Sequence, residues 1–338
     1  MTVKNKTPLK GGKLGELLRS REASLLLVMI LLVAVIQWRS GGKFLSPTVI
    51  YQLTQNYAYT AVLAFGMLLV LLIGGIDISV GATLALSGMA TSLLMRDGII
   101  TNPVLAFGFS ILVGAVCGLV IGGIISKGKV IPIIATLGMQ YIYRGLTYFI
   151  SDTQWVPSDK MLDGYKAFAL NSFLGINNLF WIVLIVFGAM IVFLKWTNFG
   201  RQIYEVGSNP EAAKISGIRI DRVKTLVYTI NGAIAGLAGA MYTSFYASAQ
   251  GNMATGAEMD VIAACVIGGV SLNGGQGNAF GVLLGAITIA IISKSLSLVG
   301  IDPFWQQALK GGIILVAVLI NVLVQRNAAR RALEGREI

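Results

Sequence analysis

The composition is that of a membrane protein rather than a soluble one. Of 338 residues, 55% are hydrophobic and 12% are charged, which is about half the charged fraction of a soluble domain, and the mean hydropathy is +0.77. The chain contains no histidine, which excludes imidazole catalysis and most transition-metal sites, so no metal is expected. The net charge of +11 is typical of basic cytoplasmic loops in a membrane protein, and nucleic acid is not an expected partner.

Apolar runs recur from one end of the chain to the other and predict an all-α integral membrane protein. We expect about ten transmembrane or membrane-embedded helices, since a hydrocarbon core of about 30 Å needs roughly 20 apolar residues per crossing. The first run is predicted to be a retained span, because Arg39 follows it where a signal peptide would have a cleavage site. In chain order, the predicted spans are 23–38, 48–73, 79–95, 103–125, 131–150, 176–196, 223–247, 257–270, 277–298 and 304–324.

The distribution of lysine and arginine predicts the orientation of these spans. Both termini are placed in the cytoplasm, with residues 1–22 and 326–338 as tails around a membrane domain of residues 23–325. The long loop 151–175 is then periplasmic and the long loop 197–222 is cytoplasmic. In this arrangement most of the 26 basic residues face the cytoplasm, as the positive-inside rule requires.

Glycine recurs at four-residue spacing within several predicted spans. Gly114 and Gly118 lie in one span, Gly232 and Gly236 in another. Glycine at this spacing lets two helix backbones approach closely. We therefore expect these glycines to pack helices together rather than to contact a substrate.

The loop 197–222 contains the signals of a short helix. Asn209 is a suitable N-cap, Pro210 suits the first helical position, and Gly217 is a natural C-terminal stop. Alanines 212 and 213 would give this helix a smooth, small-sided surface. The sequence predicts about two turns of helix outside the membrane bundle, so a bulky residue at Ala213 is expected to leave the bundle intact.

The same loop resembles a known family. Residues 207–218 read G-S-N-P-E-A-A-K-I-S-G-I and resemble the corresponding loop of ABC sugar-importer permeases of the ribose, xylose and galactoside type, within the branched-chain amino acid and ribose permease superfamily. Three further stretches match this family in the same order: G-I-D-I-S-V-G at 75–81, P-I-I-A-T-L-G at 132–138 with R-G at 144–145, and A-A-C-V-I-G-G-V-S at 263–271 with G-G at 274–275.

The resemblance implies the fold of a type II ABC-importer-like bundle and a transport role without an enzyme activity of its own. It implies that the short helix is a coupling helix that docks into a partner ABC ATPase, formed by Asn209, Pro210, Glu211, Ala212, Ala213, Lys214, Ser216, Gly217 and Ile218. The other implied partners are a periplasmic sugar-binding protein, a second permease chain, identical or homologous, and the lipid bilayer of the bacterial inner membrane.

No cofactor is expected in this chain, because ATP would be bound by the partner. Residues 123–129 fit the pattern G-x-x-x-x-G-K, but Val130 follows where a phosphate-binding loop needs serine or threonine to hold Mg²⁺.

Charged residues within the predicted spans are expected to cap helices or pair with one another rather than to contact the sugar. Asp77 is expected to cap the helix that begins near residue 79. Arg144, Lys294 and Lys310 lie towards the outer ends of their spans, where Glu258 and Asp260 could pair with them.

Uncharged polar residues are candidates for a sugar pathway, since sugars are bound by hydrogen bonds and aromatic faces. Hydrogen bonds between helices would explain the same residues equally well. The candidates are Gln52, Gln55, Asn56, Tyr59, Gln140, Tyr141 and Asn231. In the outer loop, exposed Trp155 and Asp159 are candidates for docking the binding protein.

Two alternatives to sugar import remain at this point. A permease of the same superfamily for nucleosides or branched-chain amino acids would share the motifs. An ion-coupled secondary transporter would need no ATPase and would keep working in ATP-depleted cells with a clamped ion gradient.

Overall fold

The computed structural model describes residues 21–298 and, beyond them, 300–302, 305–306, 308–309, 311–312 and 315–316. The two predicted tails and most of the predicted span 304–324 lie outside the described residues. The described helices are α1 Arg21–Arg39, α2 Pro47–Asn56, α3 Ala58–Leu72, α4 Val80–Arg96, α5 Pro103–Ser126, α6 Pro132–Ile150, α7 Asp163–Leu170, α8 Asn178–Trp196, α9 Asn198–Ser208, α10 Pro210–Ile215, α11 Ile220–Tyr246, α12 Ala257–Ile267 and α13 Ala279–Leu298.

Local signals explain where several of these helices begin. The Asn102 side chain accepts a hydrogen bond from the Val104 amide, and Pro103 occupies the first position of α5. Asn177 caps α8 in the same way through the Leu179 amide. These caps satisfy amide groups that the first turn of a helix leaves free.

Helix α11 is the centre of the bundle and packs against α3, α4 and α5. Its closest neighbour is α5, and glycines on both helices form the contact. A Cβ atom on Gly114 would overlap the Gly232 carbonyl oxygen, and one on Gly118 would overlap the Tyr228 carbonyl oxygen. The predicted packing role of these glycines is confirmed.

The predicted span 48–73 is two helices rather than one. Helices α2 and α3 meet at Tyr57 with a bend of 45°. Among the described residues, α5, α8 and α13 are long and apolar enough to cross a bilayer alone, and the bent pair α2 and α3 is a fourth candidate. Helix α4 is shorter and almost wholly buried among its neighbours.

Both long loops are more ordered than the sequence predicted. Loop 151–175 contains a 3₁₀ turn at Ser158–Lys160, helix α7, and the first strand of a small antiparallel hairpin formed by β1 Ser172–Phe173 and β2 Ile176–Asn177. It is tied to the end of α11, because the Tyr165 hydroxyl donates to the Ala240 carbonyl oxygen at 2.8 Å. Loop 197–222 contains α9 as well as the expected short helix. We call these two ends of the bundle the 151–175 side and the 197–222 side.

The glycine contact makes a testable prediction about stability. Gly118→Ala should lower the free energy of unfolding by about 1–3 kcal/mol, because the added methyl group forces α5 and α11 apart. Gly123→Ala, on the same helix, is the matched control, since no atom lies within 4 Å of its Cβ position. The measurement is the thermal unfolding midpoint of each purified variant in detergent. Equal midpoints for the two variants would contradict the proposed contact.

Candidate functional site

A buried carboxylate ties the end of α3 to the start of α4 and to α11. One Asp77 oxygen accepts hydrogen bonds from the Ser79 amide at 2.9 Å and from the Ser79 hydroxyl at 2.6 Å. The other oxygen accepts from the Asn231 side-chain amide at 2.7 Å. Asp77 therefore caps the start of α4, as expected. Asn231, which is 1% exposed, joins two parts of the bundle and does not face an open path in this structure.

On the 197–222 side, three chain segments are in direct backbone contact at a cluster of glycines. The Gly275 amide donates to the Leu72 carbonyl oxygen at 2.9 Å. A Cβ atom on Gly207 would overlap that same oxygen, and one on Gly274 would lie 2.8 Å from the Gly207 carbonyl oxygen. We call Gly74, Gly207, Gly274 and Gly275 the glycine junction. It joins the end of α9 to the end of α3 and to the chain that follows α12.

Beyond the junction, the short helix α10 has the predicted ends. The Asn209 side chain accepts a hydrogen bond from the Ala212 amide at 3.0 Å, and Pro210 begins the helix. Gly217 follows the helix with a φ of +84°, in the left-handed region that glycine adopts without a Cβ penalty.

The two alanines of α10 face different environments. Ala212 is exposed, whereas Ala213 is only 4% exposed and belongs to the main hydrophobic core of this chain. The expectation that a bulky residue at Ala213 leaves the bundle intact is therefore wrong. The exposed surface of α10 consists of Pro210, Glu211, Ala212, Lys214 and Ile215, and Ile215, at 89% exposure, is an apolar side chain with almost no cover.

The predicted polar path residues are divided among several local environments. The Gln52 side chain accepts from the Lys294 ammonium at 2.8 Å, and the Asn56 side chain donates to the Gln52 carbonyl oxygen at 2.7 Å. Gln55 is buried. The Tyr59 ring meets the Tyr242 ring edge-on, with centroids 5.0 Å apart.

The two candidates on α6 also differ from each other. The Gln140 side-chain amide lies 3.4 Å from a Glu258 carboxylate oxygen. Tyr141 is 77% exposed on a helix whose exposed surface is largely apolar.

Arg144 holds the segment that links α11 to α12. Its guanidinium donates to the carbonyl oxygens of Gly251 and Met253, both at 2.8 Å. This bonding fixes the backbone of residues 251–253 against α6. In addition to these carbonyls, the Arg144 charge interacts with Glu258, one of the two carboxylates predicted to pair with it, and the Lys294 ammonium bonds Gln52. Lys310 lies outside the described residues.

This loop and the end of α11 form a polar cavity on the 151–175 side. Its volume is about 230 Å³, and its lining residues are Tyr242, Tyr246, Ser248, Gln250, Asn252 and Met253. The Tyr242 and Tyr246 rings lie 4.4 Å apart. We call this the outer cavity. It combines aromatic faces with amide and hydroxyl groups, which is the surface that a polyhydroxylated ligand requires.

Comparison with known proteins identifies the family. The family described as the branched-chain amino acid transport system permease component matches residues 49–318. This chain belongs to that permease family. No solved structure matches it.

Curated relatives of this permease cover most of its length. It is 39% identical to a ribose import permease protein of Bacillus subtilis over 88% of this chain and 90% of that protein. It is 36% identical to a ribose import permease protein of Escherichia coli K12, over 89% and 93%. It is 34% identical to an L-arabinose ABC transporter permease protein of Azospirillum brasilense, over 86% and 84%.

Sequence reasoning missed the outer cavity of this permease. A signal was present, since the seventh predicted span ends with two tyrosines, Tyr242 and Tyr246, and polar residues 248, 250 and 252 follow at once. Aromatic residues at the end of a span are also typical of a membrane interface, so only the structure shows that they enclose a cavity.

Proposed function

We propose that this chain is the membrane-spanning permease subunit of an ATP-driven importer for a simple sugar of pentose or hexose size. The observation that carries the proposal is the extent of the similarity to permeases named for ribose and arabinose import, which covers more than four fifths of the chain. The outer cavity supports a sugar because its lining is aromatic and polar but contains no charged residue.

ATP hydrolysis is assigned to a partner ABC ATPase. Residues 123–126 of the G-x-x-x-x-G-K run are the last turn of α5, whereas a phosphate-binding loop needs a preceding strand and a following helix. The exposed residues Glu211, Ala212 and Ile215 of α10 are the proposed contact with that ATPase. ATP binding would draw the ATPases together and move α10, which switches access between the two sides of the membrane.

The remaining partners follow from the same assignment. A periplasmic sugar-binding protein would dock on loop 151–175, where Trp155 and Asp159 are both exposed. A second permease chain, identical or homologous, would complete the pathway in the bacterial inner membrane. The family description favours branched-chain amino acids as an alternative substrate class, and competition of each class for labelled sugar uptake separates the two.

The proposed orientation predicts which loop is accessible from outside. In a background without the buried residues Cys117 and Cys265, a cysteine replacing exposed Ser158 should react with an impermeant thiol reagent in intact cells. A cysteine replacing exposed Ser208 should react only after the cells are opened. Labelling of position 208 but not of position 158 in intact cells would reverse the assignment.

The proposed coupling surface predicts a defect that leaves the fold intact. Ala212→Trp should abolish ATPase association or sugar uptake, because an indole on the exposed side of α10 blocks entry into a narrow cleft. Ala212→Ser, which changes size little, is the control and should keep both. The measurements are co-purification of the ATPase and uptake of labelled sugar. If Ala212→Trp keeps the ATPase and transports normally, α10 is not the coupling helix.

The outer cavity predicts residues that determine the uptake rate. Gln250→Ala, which removes an exposed amide from the lining, should lower the maximal rate at saturating binding protein by about 2–10-fold, the effect of one lost hydrogen bond. Thr101→Ala, at an exposed position outside both the lining and loop 151–175, should have no effect. A normal rate for Gln250→Ala would exclude the cavity from the pathway.

Asn231→Ala should lower the amount of folded protein and leave the rate per folded transporter unchanged, because it leaves an Asp77 oxygen unpaired.

A further inference from the structure

A second cavity lies on the 197–222 side, between α10 and the start of α11. Its volume is about 660 Å³. Five cationic side chains and one carboxylate contribute to its lining: Lys129, Lys214, Arg219, Arg222, Lys224 and Asp221. We call this the basic cavity.

The charges in the basic cavity are poorly balanced. Asp221 is bound to the Lys129 ammonium at 2.6 Å. Within the part of the chain that the structure describes, the other four cations have no carboxylate within ion-pair distance. Four basic side chains around one opening produce a positive potential that attracts an anion.

The start of α11 adds to this potential. Arg219 is the N-cap residue of α11 and makes no capping hydrogen bond with its side chain. The next three residues, 220–222, all line the cavity. The amide groups of a first helical turn lack partners within the helix, and the positive end of the helix dipole lies there.

Another cavity, with a mixed polar and apolar lining, adjoins the basic cavity. Its volume is about 350 Å³; it shares Gly217, Ile218, Arg219 and Arg222 with the basic cavity and is completed by Asn198, Phe199, Gln202, Val223 and Leu226. Leu226 is partly exposed on α11. The apolar side chains of Phe199 and Leu226 therefore lie beside Arg219 and Arg222, an arrangement that offers contacts to both the charged group and the apolar part of an amphiphile.

The level of this site relative to the membrane is indicated by α8. That apolar helix ends at Trp196, which is 74% exposed, and α9 begins two residues later. Exposed tryptophan at the end of an apolar helix is typical of the membrane–water interface. Phe199, in the first turn of α9, thus lies close to the depth at which lipid headgroups meet acyl chains.

We infer that the basic cavity binds the phosphate group of an anionic phospholipid of the cytoplasmic leaflet, with the acyl chains along Phe199 and Leu226. The inference rests on the proposed orientation and not on the identity of the transported substrate. The lipid phosphate would lie between Lys214 of α10 and Arg222 of α11. Occupancy would hold the coupling helix against the central helix, so coupling would depend on the anionic lipid content of the membrane.

The test is lipid binding to the purified full-length chain in neutral detergent. Native mass spectrometry counts the lipids bound as dioleoyl phosphatidylglycerol or dioleoyl phosphatidylcholine is added. We expect phosphatidylglycerol to bind preferentially. The triple variant Lys214→Gln/Arg219→Gln/Arg222→Gln should weaken its binding by roughly a hundredfold at low salt, and it should remain folded because all three side chains are exposed.

A charge-matched control separates this site from general attraction. Lys127→Gln/Lys195→Gln/Arg201→Gln removes the same number of exposed cations from residues that line neither cavity and should bind phosphatidylglycerol like the unmodified chain. Equal binding of the two lipids, or equal losses in the two triple variants, overturns the inference. The inference is also overturned, in favour of a soluble anion, if millimolar inorganic phosphate displaces the bound phosphatidylglycerol. Loss of ATPase association by the first variant with unchanged lipid binding assigns the cavity to the ATPase instead.

Discussion

The backbone contact between α5 and α11 is the constraint on which the arrangement of the sites depends. Wherever Gly114, Gly118, Gly232 and Gly236 meet, a single added carbon would overlap the opposing backbone. This contact fixes the depth and rotation of α11 in the bundle. With 27 residues, α11 is about 40 Å long, longer than a hydrocarbon core of about 30 Å. One end therefore carries the tyrosines of the outer cavity, and the other carries the arginines of the basic cavity.

The buried bond between Asp77 and Asn231 fixes the broken part of the bundle to the same helix. Between α3 and α4 the chain leaves helical geometry, so its amides need other partners in a region that excludes water. Asp77 supplies one and is itself satisfied by Ser79 and Asn231. The fit is tight, because a Cβ atom on Gly66 would overlap the side-chain amide oxygen of Asn231. A carboxylate in this position is thus explained by the irregular backbone beside it.

Local signals made most of the fold predictable, and tertiary contacts account for what was missed. Proline and asparagine at the start of α5 and α10, and glycine after α10, act within a few residues, so the helix ends they predict are found in the structure. The break at Tyr57 has no proline or glycine to mark it, and the polar stretch 52–56 that precedes it is interpreted, from sequence, as a candidate sugar pathway rather than as the end of a helix. Ala212 and Ala213 are identical in type, and only the packing of α10 against the rest of the chain makes one exposed and the other buried. The outer cavity likewise depends on Arg144 bonding a loop more than a hundred residues away.

The glycine junction explains how a movement of α10 reaches the membrane helices. Only Asn209 separates α9 from α10, and its side chain caps α10, so the two helices move together. At the end of α9, the backbone of Gly207 contacts the backbone at the end of α3. No side chain lies between the two backbones, so a movement of α9 could not be taken up by a change of rotamer. The Tyr204 hydroxyl donates to the Gly277 carbonyl oxygen at 2.8 Å and connects α9 to the segment before α13. A displacement of α10 would thus be transmitted to the end of α3 and to the segment between α12 and α13, while the glycine contact holds α11 against α5.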